Sequence, residues 1–264
     1  MRALVTGVTR GIGRSLVGHL VGRGAVVAAV ARNEAALARE AERWGASVHP
    51  YVADVNEAAA MQAVVDSFGP LDLAVANAGA LLGAGPLWEA DPAEWWAGVE
   101  VNVRGVFHTL HAVLPGMIER GSGRVVLVTS GLGNSPGSYI SGYAASKAAV
   151  TTLGASVQQE LAGTGVGCFL VSPGMVRTDM TQFPEALTRH KPFLADIPEE
   201  HFTPVERLLE LVDEIAAGRL DALAGRFLHA TDDRAALLAA VAAEDPRART
   251  LRLAPAHEGD PQAR

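Results

Sequence analysis

Tyr143 and Lys147 are the residues whose types and spacing most clearly indicate chemistry. They lie four positions apart in the segment YAASK, so a helix would place them about one turn apart on one face. A free tyrosine, with a pKa of about 10, is too weak an acid to release its proton at neutral pH, but a nearby ammonium favours the phenolate and lowers that pKa. This spacing predicts that Tyr143 donates or accepts a proton and that Lys147 is its electrostatic partner.

The composition argues against a chance pairing of these two side chains. The chain contains three tyrosines, and among its 22 basic residues only Lys147 and Lys191 are lysines. A sequence that otherwise uses arginine keeps a lysine here, which indicates a role that a guanidinium cannot fill. Ser130, at the end of an apolar run, could donate a hydrogen bond to a substrate oxygen and hold it against Tyr143, although a serine in such a place is more often a turn cap.

A glycine-rich turn near the N-terminus offers a binding site for phosphate groups. The segment TGVTRGIG, residues 6–13, follows the first apolar run and opens the first amphipathic stretch. Glycines permit a tight turn and a close approach of the backbone, and the free N–H groups of a helix N-terminus can bind a pyrophosphate. We therefore predict a dinucleotide site here, with a strand-to-helix turn that binds no ligand as the alternative.

Short apolar runs are the elements that must position these residues. Runs of about four to eight residues without polar alternation are typical of strands covered on both faces, as in a parallel sheet. The sequence contains seven of them: Ala3–Thr6, Ala25–Ala31, Ser47–Val52, Leu71–Ala76, Arg124–Thr129, Val166–Val171 and Arg226–His229.

The amphipathic stretches between the runs are predicted to be helices. Helices are predicted over 12–22, 34–44, 92–119 and 205–217. Asn33 is the predicted N-cap of the second, and the segments Asp91-Pro92-Ala93-Glu94 and Thr203-Pro204-Val205-Glu206 are start signals of the third and fourth. Pro115 is predicted to disturb the third helix. Such alternation makes right-handed βαβ units. The predicted fold class is a single α/β Rossmann-like doubly wound domain over residues 1–230, with a mostly parallel seven-stranded sheet and helices on both faces.

Charge and composition exclude several classes of protein. The 264 residues include 22 Lys and Arg against 29 Asp and Glu, a net charge of −7, which leaves no broad basic surface for a nucleic-acid backbone. A single cysteine, Cys168, excludes an internal disulfide, and no metal site is predicted. No apolar run approaches the ~18 residues of a membrane span, and the start MRALVTG lacks a signal-peptide pattern, so we expect a soluble, cytoplasmic protein.

The glycine spacing, T-G-x-x-x-G-x-G, resembles that of the short-chain dehydrogenase/reductase family, and motifs over about residues 2–230 agree with it. Residues 77–79 (NAG) resemble the family's N-A-G motif, Tyr143 and Lys147 its Y-x-x-x-K, and residues 173–178 (PGMVRT) its P-G-x-V-x-T segment. Ser130 lies 13 residues before Tyr143, and Asn102 lies 28 before Ser130, as the family serine and asparagine do. The usual D-G-G near the C-terminus is missing, because residues 225–230 read GRFLHA.

The resemblance implies an oxidoreductase that interconverts a ketone or aldehyde and an alcohol by hydride transfer with a nicotinamide cofactor. The implied catalytic set is Asn102, Ser130, Tyr143 and Lys147, in which Lys147 also binds the nicotinamide ribose. Asn102 would organise a water in a proton relay, although a side chain that faces water or bends its helix is the alternative. The implied cofactor contacts are Gly7, Thr9, Arg10, Gly11, Ile12, Gly13, Arg32, Asp54, Val55, Asn77, Ala78, Gly79, Tyr143, Lys147, Pro173, Gly174, Val176 and Thr178.

Arg10 and Arg32 indicate which nicotinamide cofactor is bound. An NAD-binding chain commonly places an acid at the end of the second strand, but by alignment Ala31 stands there and Arg32 follows it. Arg10 lies inside the glycine turn, so two guanidinium groups could flank a ribose 2′-phosphate, which arginine binds in a planar, bidentate way. The sequence therefore predicts NADP(H), with two solvated surface arginines as the alternative. Asp54 would accept from the adenine amino group, and Val55 would offer its backbone N–H.

Residues 181–203 do not fit the strand–helix pattern and contain three prolines. We predict that they form a substrate lid, since a long insert at such a place is more often a binding loop than filler. Met180 and Phe183 would be apolar walls of a substrate site with Ser130, Tyr139 and Tyr143. An apolar lid start favours a ketone or secondary alcohol with a hydrophobic body.

The other predictions concern the tail, the tryptophans and partners. Residues 231–264 are predicted to be a C-terminal helix and a mobile tail from 244 onward. Trp88, Trp95 and Trp96 are predicted to lie in the core or an interface, with the mouth of a substrate site as the alternative. The expected partner besides the small-molecule substrate is a second copy of the chain. A homodimer would form through helices over 92–119 and 142–162, and a homotetramer would add the C-terminal strand and its neighbouring helix.

A second class of function stays open at this point. Some dinucleotide folds bind a cofactor without turnover, so a nicotinamide-sensing protein is the alternative to an enzyme. The complete set of Asn102, Ser130, Tyr143 and Lys147 favours the enzyme, because a sensor does not need all four.

Overall fold

The computed structural model describes residues 1–243, and these contain seven strands in one sheet. The strands are β1 (Arg2–Thr6), β2 (Val26–Ala31), β3 (Val48–Val52), β4 (Leu73–Ala76), β5 (Gly123–Val128), β6 (Val166–Ser172) and β7 (Phe227–His229). They pair in the order β3-β2-β1-β4-β5-β6-β7, and every pair is parallel. The predicted Rossmann-like sheet is confirmed, and it is entirely parallel rather than mostly so.

The strand order reverses between β1 and β4, which are neighbours although two strands separate them in sequence. Val5 of β1 is in register with Val75 of β4, so the segments that follow both strands leave the sheet side by side. Open α/β sheets bind ligands outside the carboxyl ends of their strands at such a reversal. The glycine turn follows β1 and the NAG segment follows β4, so both lie at this point.

Helices cover both faces of the sheet, as predicted. They are α1 (Gly11–Gly22), α2 (Glu34–Trp44), α3 (Ala58–Phe68), α4 (Pro92–Arg120), α5 (Ser141–Glu160), α6 (Glu185–Thr188), α7 (Val205–Ala216) and α8 (Arg234–Ala242). Apolar side chains of α1, α2 and α7 build the core on one face, and those of α3, α4 and α5 build the core on the other. Helix α5, which carries Tyr143 and Lys147, packs beside α4.

Two predicted helix caps are present and one is not. Asn33 accepts a hydrogen bond from the Ala36 N–H at 2.9 Å, and Asp91 accepts from the N–H groups of Ala93 and Glu94 at 2.7 and 3.0 Å. The predicted cap at Thr203 is wrong. Pro204 occupies the N-cap position of α7, and the Thr203 N–H donates to the Met175 carbonyl at 2.7 Å.

Helix α4 extends past Glu119 to Arg120, and Pro115, where a disturbance is predicted, lies inside it. A proline inside a helix removes one hydrogen bond and costs about 3 kcal/mol. Here the proline is exposed, while its neighbours Val113 and Met117 are buried in the core. Burial on both sides of Pro115 holds the helix together across the lost bond.

The predicted lid, residues 181–203, contains α6 and short 3-10 turns, and Leu187 of α6 is fully buried.

Trp88 and Trp96 are 84% and 59% exposed, so neither is a core residue of this chain, whereas Trp95 is half-buried and donates to Ser141 Oγ at 3.0 Å. Helix α8 matches the predicted C-terminal helix, and the predicted tail, 244–264, lies outside the described residues. In the described part of the chain, no helix is long and apolar enough to cross a membrane.

Candidate active site

The glycine turn is held in place by the segment after β4. Asn77 donates through Nδ2 to the carbonyls of Thr6 and Gly7 at 2.9 and 3.3 Å. A Cβ on Gly13 would overlap the Gly7 carbonyl oxygen and lie 2.6 Å from Asn77 Nδ2. Position 13 therefore requires glycine for the turn to keep this conformation, and the hydrogen bonds from Asn77 hold the turn in place.

Thr6 also helps to hold the glycine turn in place, and sequence reasoning did not identify it. Its hydroxyl oxygen accepts hydrogen bonds from the N–H groups of Asn77 and Ala78, both at 3.0 Å. Thr6 is buried at the end of β1. A hydroxyl at a strand end next to a glycine turn was the available signal, but its partners lie more than seventy residues away.

The other predicted cofactor residues lie around the same turn. A Cβ on Gly11 would lie 3.1 Å from Thr178 Cγ2, so the PGMVRT segment after β6 faces the turn. Thr9 and Ile12 are half-buried within or beside the turn, as are Ala78 and Gly79 in the NAG segment. Pro173 and Val176 are buried, and Gly174 has a positive φ of 73°.

Ser130 and Tyr143 are brought together at the carboxyl end of β5. The Ser130 hydroxyl accepts from the Leu132 N–H at 3.2 Å and is hydrogen-bonded to the phenol of Tyr143. Burial raises the pKa of Tyr143 above its ordinary value, and the hydrogen bond with Ser130 lowers it by less. The prediction of a lowered tyrosine pKa is wrong for this structure, because burial of the phenol outweighs the groups that favour phenolate.

Lys147 lies beneath Tyr143 and is almost completely buried. Its Nζ donates to the Val128 carbonyl at 2.8 Å and lies 5.6 Å from the centre of the Tyr143 ring. Burial lowers the pKa of Lys147 to about 8, because no carboxylate accompanies the ammonium into the interior. The carbonyl of Val128, which sequence reasoning did not find, is the group that orients this lysine.

Asn102 is buried in the middle of α4 and faces the segment after β4. Its Nδ2 donates to the Ala80 carbonyl and to Ser146 Oγ, both at 2.9 Å, and its Oδ1 accepts from the Ala80 N–H at 2.8 Å. The alternative of a side chain that faces water is therefore wrong. A Cβ on Gly79 would lie 2.9 Å from Asn102 Oδ1 and 3.6 Å from Lys147 Nζ, so these two polar atoms border one small space.

Arg10 and Arg32 lie at the carboxyl ends of β1 and β2 and are exposed. Arg10 forms an ion pair with Asp179 at 3.6 Å, and Arg32 forms one with Asp54 at 3.4 Å. The side chains of the two arginines are 73% and 66% exposed, so both guanidinium groups can turn to another anion at little cost. Asp54 also accepts from the Asn56 N–H at 2.9 Å.

Val55 is anchored to α4, a contact that sequence reasoning missed. Its side chain is buried, and its carbonyl accepts a hydrogen bond from His108 Nδ1 at 3.0 Å. A Cβ on Gly105 would come within 2.5 Å of Val55 Cγ2, so α4 lies directly against this residue. The segment after β3 is thus fixed from behind.

The predicted substrate residues lie in two groups. Tyr139 is half-buried just before α5, and its ring stacks on His190 of the lid with 4.5 Å between ring centres. Met180 and Phe183 stand at the start of the lid, the first 39% exposed and the second half-buried. His190 was not among the predicted site residues, because its contact with Tyr139 spans about fifty residues of sequence. Within residues 1–243, no three His, Cys, Asp or Glu side chains group as metal ligands.

Comparisons with known proteins agree with this geometry. The family model for short chain dehydrogenases matches residues 1–186. The 3-oxoacyl-(acyl-carrier-protein) reductase of Salmonella typhimurium is 30% identical over 233 residues, which are 86% of this chain and 94% of the reductase.

Solved structures give the same result. An actinorhodin polyketide ketoreductase variant with NADPH superimposes with a TM-score of 0.75 at 29% identity, over 86% of this chain and 94% of that one. A xylitol dehydrogenase with bound NAD+ has a TM-score of 0.76 over 86% of this chain and 96% of that one, and its 23% identity shows the fold alone.

The parallel sheet, the glycine turn at its reversal point and the Ser–Tyr–Lys group define a Rossmann-fold oxidoreductase. The chain belongs to the short-chain dehydrogenase/reductase family, whose members bind a nicotinamide cofactor and act on small molecules.

Proposed function

We propose that this protein is an NADP(H)-dependent carbonyl reductase or alcohol dehydrogenase that interconverts a ketone or aldehyde and an alcohol. The observation that carries the proposal is the hydrogen-bonded pair of Ser130 and Tyr143 above the buried ammonium of Lys147. These three groups stand at the carboxyl edge of the sheet, beside the glycine turn. That arrangement supplies a proton donor where a reacting oxygen would sit.

The residues of the glycine turn fit a dinucleotide. The turn is so tight at Gly13 that it has no room for a Cβ atom. Helix α1 begins in this turn, and the backbone N–H groups of its first residues are available to a phosphate. In the proposed site the turn, residues 77–79 and the PGMVRT segment hold the pyrophosphate and nicotinamide. When bound, NADPH supplies the hydride and its electron pair, which reduce the carbonyl carbon of the substrate.

Tyr143 supplies the proton in the direction of reduction. With its raised pKa, Tyr143 is protonated at neutral pH, and its proton transfers only as the substrate oxygen gains negative charge and becomes the stronger base. The proton then lies on the alcohol product, and the phenolate remains on Tyr143. Ser130 accepts from the Leu132 N–H, so its hydroxyl hydrogen, which is shared with Tyr143 in the protein without substrate, can turn to the substrate oxygen.

Lys147 and Asn102 return a proton to Tyr143. The ammonium below the ring stabilises the phenolate, and its pKa of about 8 makes it an acid close to neutrality. Asn102 Oδ1 and Lys147 Nζ border the same small space at Gly79, which suits a water in a relay toward solvent. The resemblance to the family supports this role and a contact from Lys147 to the nicotinamide ribose.

The two exposed arginines support NADP(H) rather than NAD(H). Arg10 and Arg32 leave adjacent strands, β1 and β2, at the edge where the adenosine ribose would lie. No carboxylate ends β2, where Ala31 is followed directly by Arg32. Both guanidinium groups would exchange their exposed carboxylate partners for a 2′-phosphate, which carries more charge. The apolar start of the lid supports a substrate with a hydrophobic body.

The test is NADPH oxidation, followed by absorbance, over a panel of ketones with wild type and Tyr143→Phe. We expect turnover with at least one ketone in the wild type and its loss in the variant, since only the transferable proton is removed. NADPH affinity should stay nearly unchanged in Tyr143→Phe but fall in Lys147→Ala, because one ammonium serves both the tyrosine and the ribose.

Tyr51→Phe is the matched control, because the Tyr51 hydroxyl lies next to Ser67 at 3.2 Å, outside the proposed site. It should behave as the wild type. Tight NADPH binding without turnover on any ketone would instead favour the cofactor-sensing alternative. Equal loss of NADPH affinity in Tyr143→Phe and Lys147→Ala would contradict the division of roles.

A further inference from the structure

The first half of the lid is docked on the body of the protein. Leu187 of α6 is fully buried, and the Ala186 carbonyl oxygen lies 3.9 Å from where a Cβ on Gly85 would be. Gly85 is buried and has a positive φ of 130°, so glycine lets this loop lie flat beneath α6. Residues 83–86 therefore form the floor on which α6 rests.

Tyr139 is held by the same segment, residues 83–86. Its carbonyl accepts a hydrogen bond from the Gly85 N–H at 2.7 Å. Its φ of 65° is the only positive value at a residue other than glycine within 1–243. A side chain in this backbone region is unfavourable and persists only where the surroundings enforce it. The surroundings thus fix the direction in which the Tyr139 ring leaves the chain.

The fixed ring of Tyr139 meets the lid through His190. The two rings are stacked with 4.5 Å between their centres and 11° between their planes. His190 follows α6 directly, and its backbone N–H donates to the Leu187 carbonyl at 3.1 Å. Tyr139 stands four residues before Tyr143, so the stack joins the lid to the start of the helix that carries the proposed proton donor.

The outer half of the lid is attached differently. Phe193 is 60% exposed, and residues 195 and 196 are exposed as well. Arg177 holds the returning end through an ion pair with Glu199 and by lying 4.1 Å above the ring of Phe202. The stack on His190 involves a residue four positions before Tyr143, whereas the Arg177 contacts lie where the chain leaves the lid.

We infer that the Tyr139–His190 stack is a latch that holds the lid over the substrate site, and that it controls substrate binding and product release rather than the chemical step. The inference rests on the proposed function for its kinetic part. Its structural part, that the stack holds α6 in place, stands independently of the substrate. His190 is thereby assigned as a positioning residue of the lid.

Four variants of the full-length chain test the latch. His190→Ala removes one ring, Tyr139→Leu removes the other, and both together complete a double-mutant cycle. His190→Phe keeps a ring that can stack. His201→Ala is the matched control, because His201 is an exposed histidine of the same lid whose ring forms no stack.

Two measurements are made on each variant: hydrogen exchange of residues 183–203 by mass spectrometry, with and without NADPH, and steady-state kinetics with one ketone. In His190→Ala we expect faster exchange over α6. We expect a ketone KM raised about two- to tenfold, the range that an aromatic pair contributes, with kcat unchanged or higher. The KM for NADPH should not change. Tyr139→Leu should also speed exchange over α6, and the double variant should exchange no faster than either single one; the ketone KM is compared only among the His190 variants, because Tyr139 is a predicted substrate contact.

His190→Phe and His201→Ala should both resemble the wild type. Unchanged exchange and unchanged ketone KM in His190→Ala would overturn the inference. So would a loss of equal size in His190→Phe, which would mean that stacking is not the basis of the contact. Equal effects in His201→Ala would show a general sensitivity of the lid. If the wild type reduces no ketone, the proposed function fails, but the exchange measurement still decides whether the stack holds the lid.

Discussion

At the scale of single residues, burial moves the two ionisable groups of the site toward their neutral forms. It raises the pKa of Tyr143 and lowers that of Lys147 to about 8. A protonated phenol is the form that donates in reduction, and a lysine that titrates near neutrality can pass a proton onward. The same physical cause, removal of water from both groups, therefore makes Tyr143 a weaker acid and Lys147 a stronger one.

The shift at Lys147 predicts a dependence of stability on pH in protein without cofactor. Between a pKa of about 8 in the folded state and the ordinary 10.5, the unfolded chain holds a proton that the folded chain has lost. The free energy of unfolding should therefore rise as pH increases through this window. At one pKa unit per 1.36 kcal/mol, the wild type should gain about 3 kcal/mol relative to Lys147→Met between these limits.

Urea unfolding of wild type and Lys147→Met at a series of pH values measures this difference. Titration of groups that lie away from Lys147 cancels between the two proteins, and Tyr143→Phe in both backgrounds removes the titration of the neighbouring phenol. Lys191→Met, which removes the other lysine, is the control for loss of a lysine as such. A difference between wild type and Lys147→Met that stays constant from pH 8 to 10.5, or one that Lys191→Met reproduces, would contradict the prediction.

Sequence reasoning identified the types of residue in the site but not all of their partners. Tyr143, Ser130 and Lys147 could be found because their spacing along the chain is characteristic. The carbonyl of Val128, the hydroxyl of Thr6 and the ring of His190 could not be found in this way. Each contributes through a contact between distant segments, and a backbone carbonyl leaves no trace in residue type.

At the scale of elements, two glycines of the same helix differ in how well they should tolerate substitution by alanine. Gly13 and Gly22 both belong to α1, yet a Cβ at Gly13 would overlap the Gly7 carbonyl, whereas nothing lies within 4 Å of a Cβ at Gly22. Gly13→Ala should destabilise the fold by about 1–3 kcal/mol, as overpacking does, and weaken NADPH binding. Gly22→Ala should be neutral or stabilise by up to about 1 kcal/mol.

Urea unfolding and NADPH titration of both variants test this prediction. Two variants with the same stability would mean that the turn can open without cost. Lost stability with unchanged NADPH affinity in Gly13→Ala would mean that the turn does not hold the cofactor.

The ends of β1 and β2 predict the choice of cofactor. If Arg10 and Arg32 bind a 2′-phosphate, kcat/KM should favour NADPH over NADH by roughly tenfold or more, since each charge-assisted hydrogen bond contributes about 1.5–3 kcal/mol before screening. Arg10→Ala should weaken NADPH more than NADH. Ala31→Asp with Arg32→Asn should reverse the preference, because a carboxylate accepts from a 2′-OH and repels a phosphate.

The decisive quantity is the ratio of kcat/KM for the two cofactors with one ketone. Arg39→Ala, an exposed arginine on α2, is the control for loss of a surface cation and should leave the ratio unchanged. A wild-type ratio near one, or one that favours NADH, would show that Arg10 and Arg32 are surface charges.

The elements themselves were predictable where one local signal dominates. All seven strands were found to within two residues at either end, because each is a continuous apolar run between helices. Residues 58–68, which form α3, had not been assigned, since the segment begins with three alanines after a residue that makes no side-chain cap. The error at Thr203 has another cause, because a hydrogen bond to the distant carbonyl of Met175 overrides the local preference there.

At the scale of the whole molecule, two helices leave uncovered faces on one side of the sheet. Trp96, Phe107 and Ile118 of α4 are 59%, 49% and 43% exposed. The neighbouring α5 exposes the small side chains of Ala145, Ala149, Thr152 and Ser156, and its exposed long side chains, Gln159 and Glu160, lie at its C-terminal end. Large apolar residues beside a row of small ones suit close helix packing, so these faces are the surface through which we expect two copies to associate.

The last prediction is therefore that the protein is a homodimer through α4 and α5, or a homotetramer that contains this dimer. A stable interface buries about 1,200–2,000 Å² in total and has apolar side chains at its centre. Phe107→Glu places a carboxylate where Phe107 would meet the partner, so it should yield monomers because the charge would be buried against the apolar side chains of the contact. Phe193→Glu makes the same change at a 60% exposed residue of the lid and should leave the assembly intact. Light scattering at micromolar concentration measures both variants. A monomeric wild type would refute the prediction, and dissociation by both substitutions would show that the contact is not specific to the faces of α4 and α5.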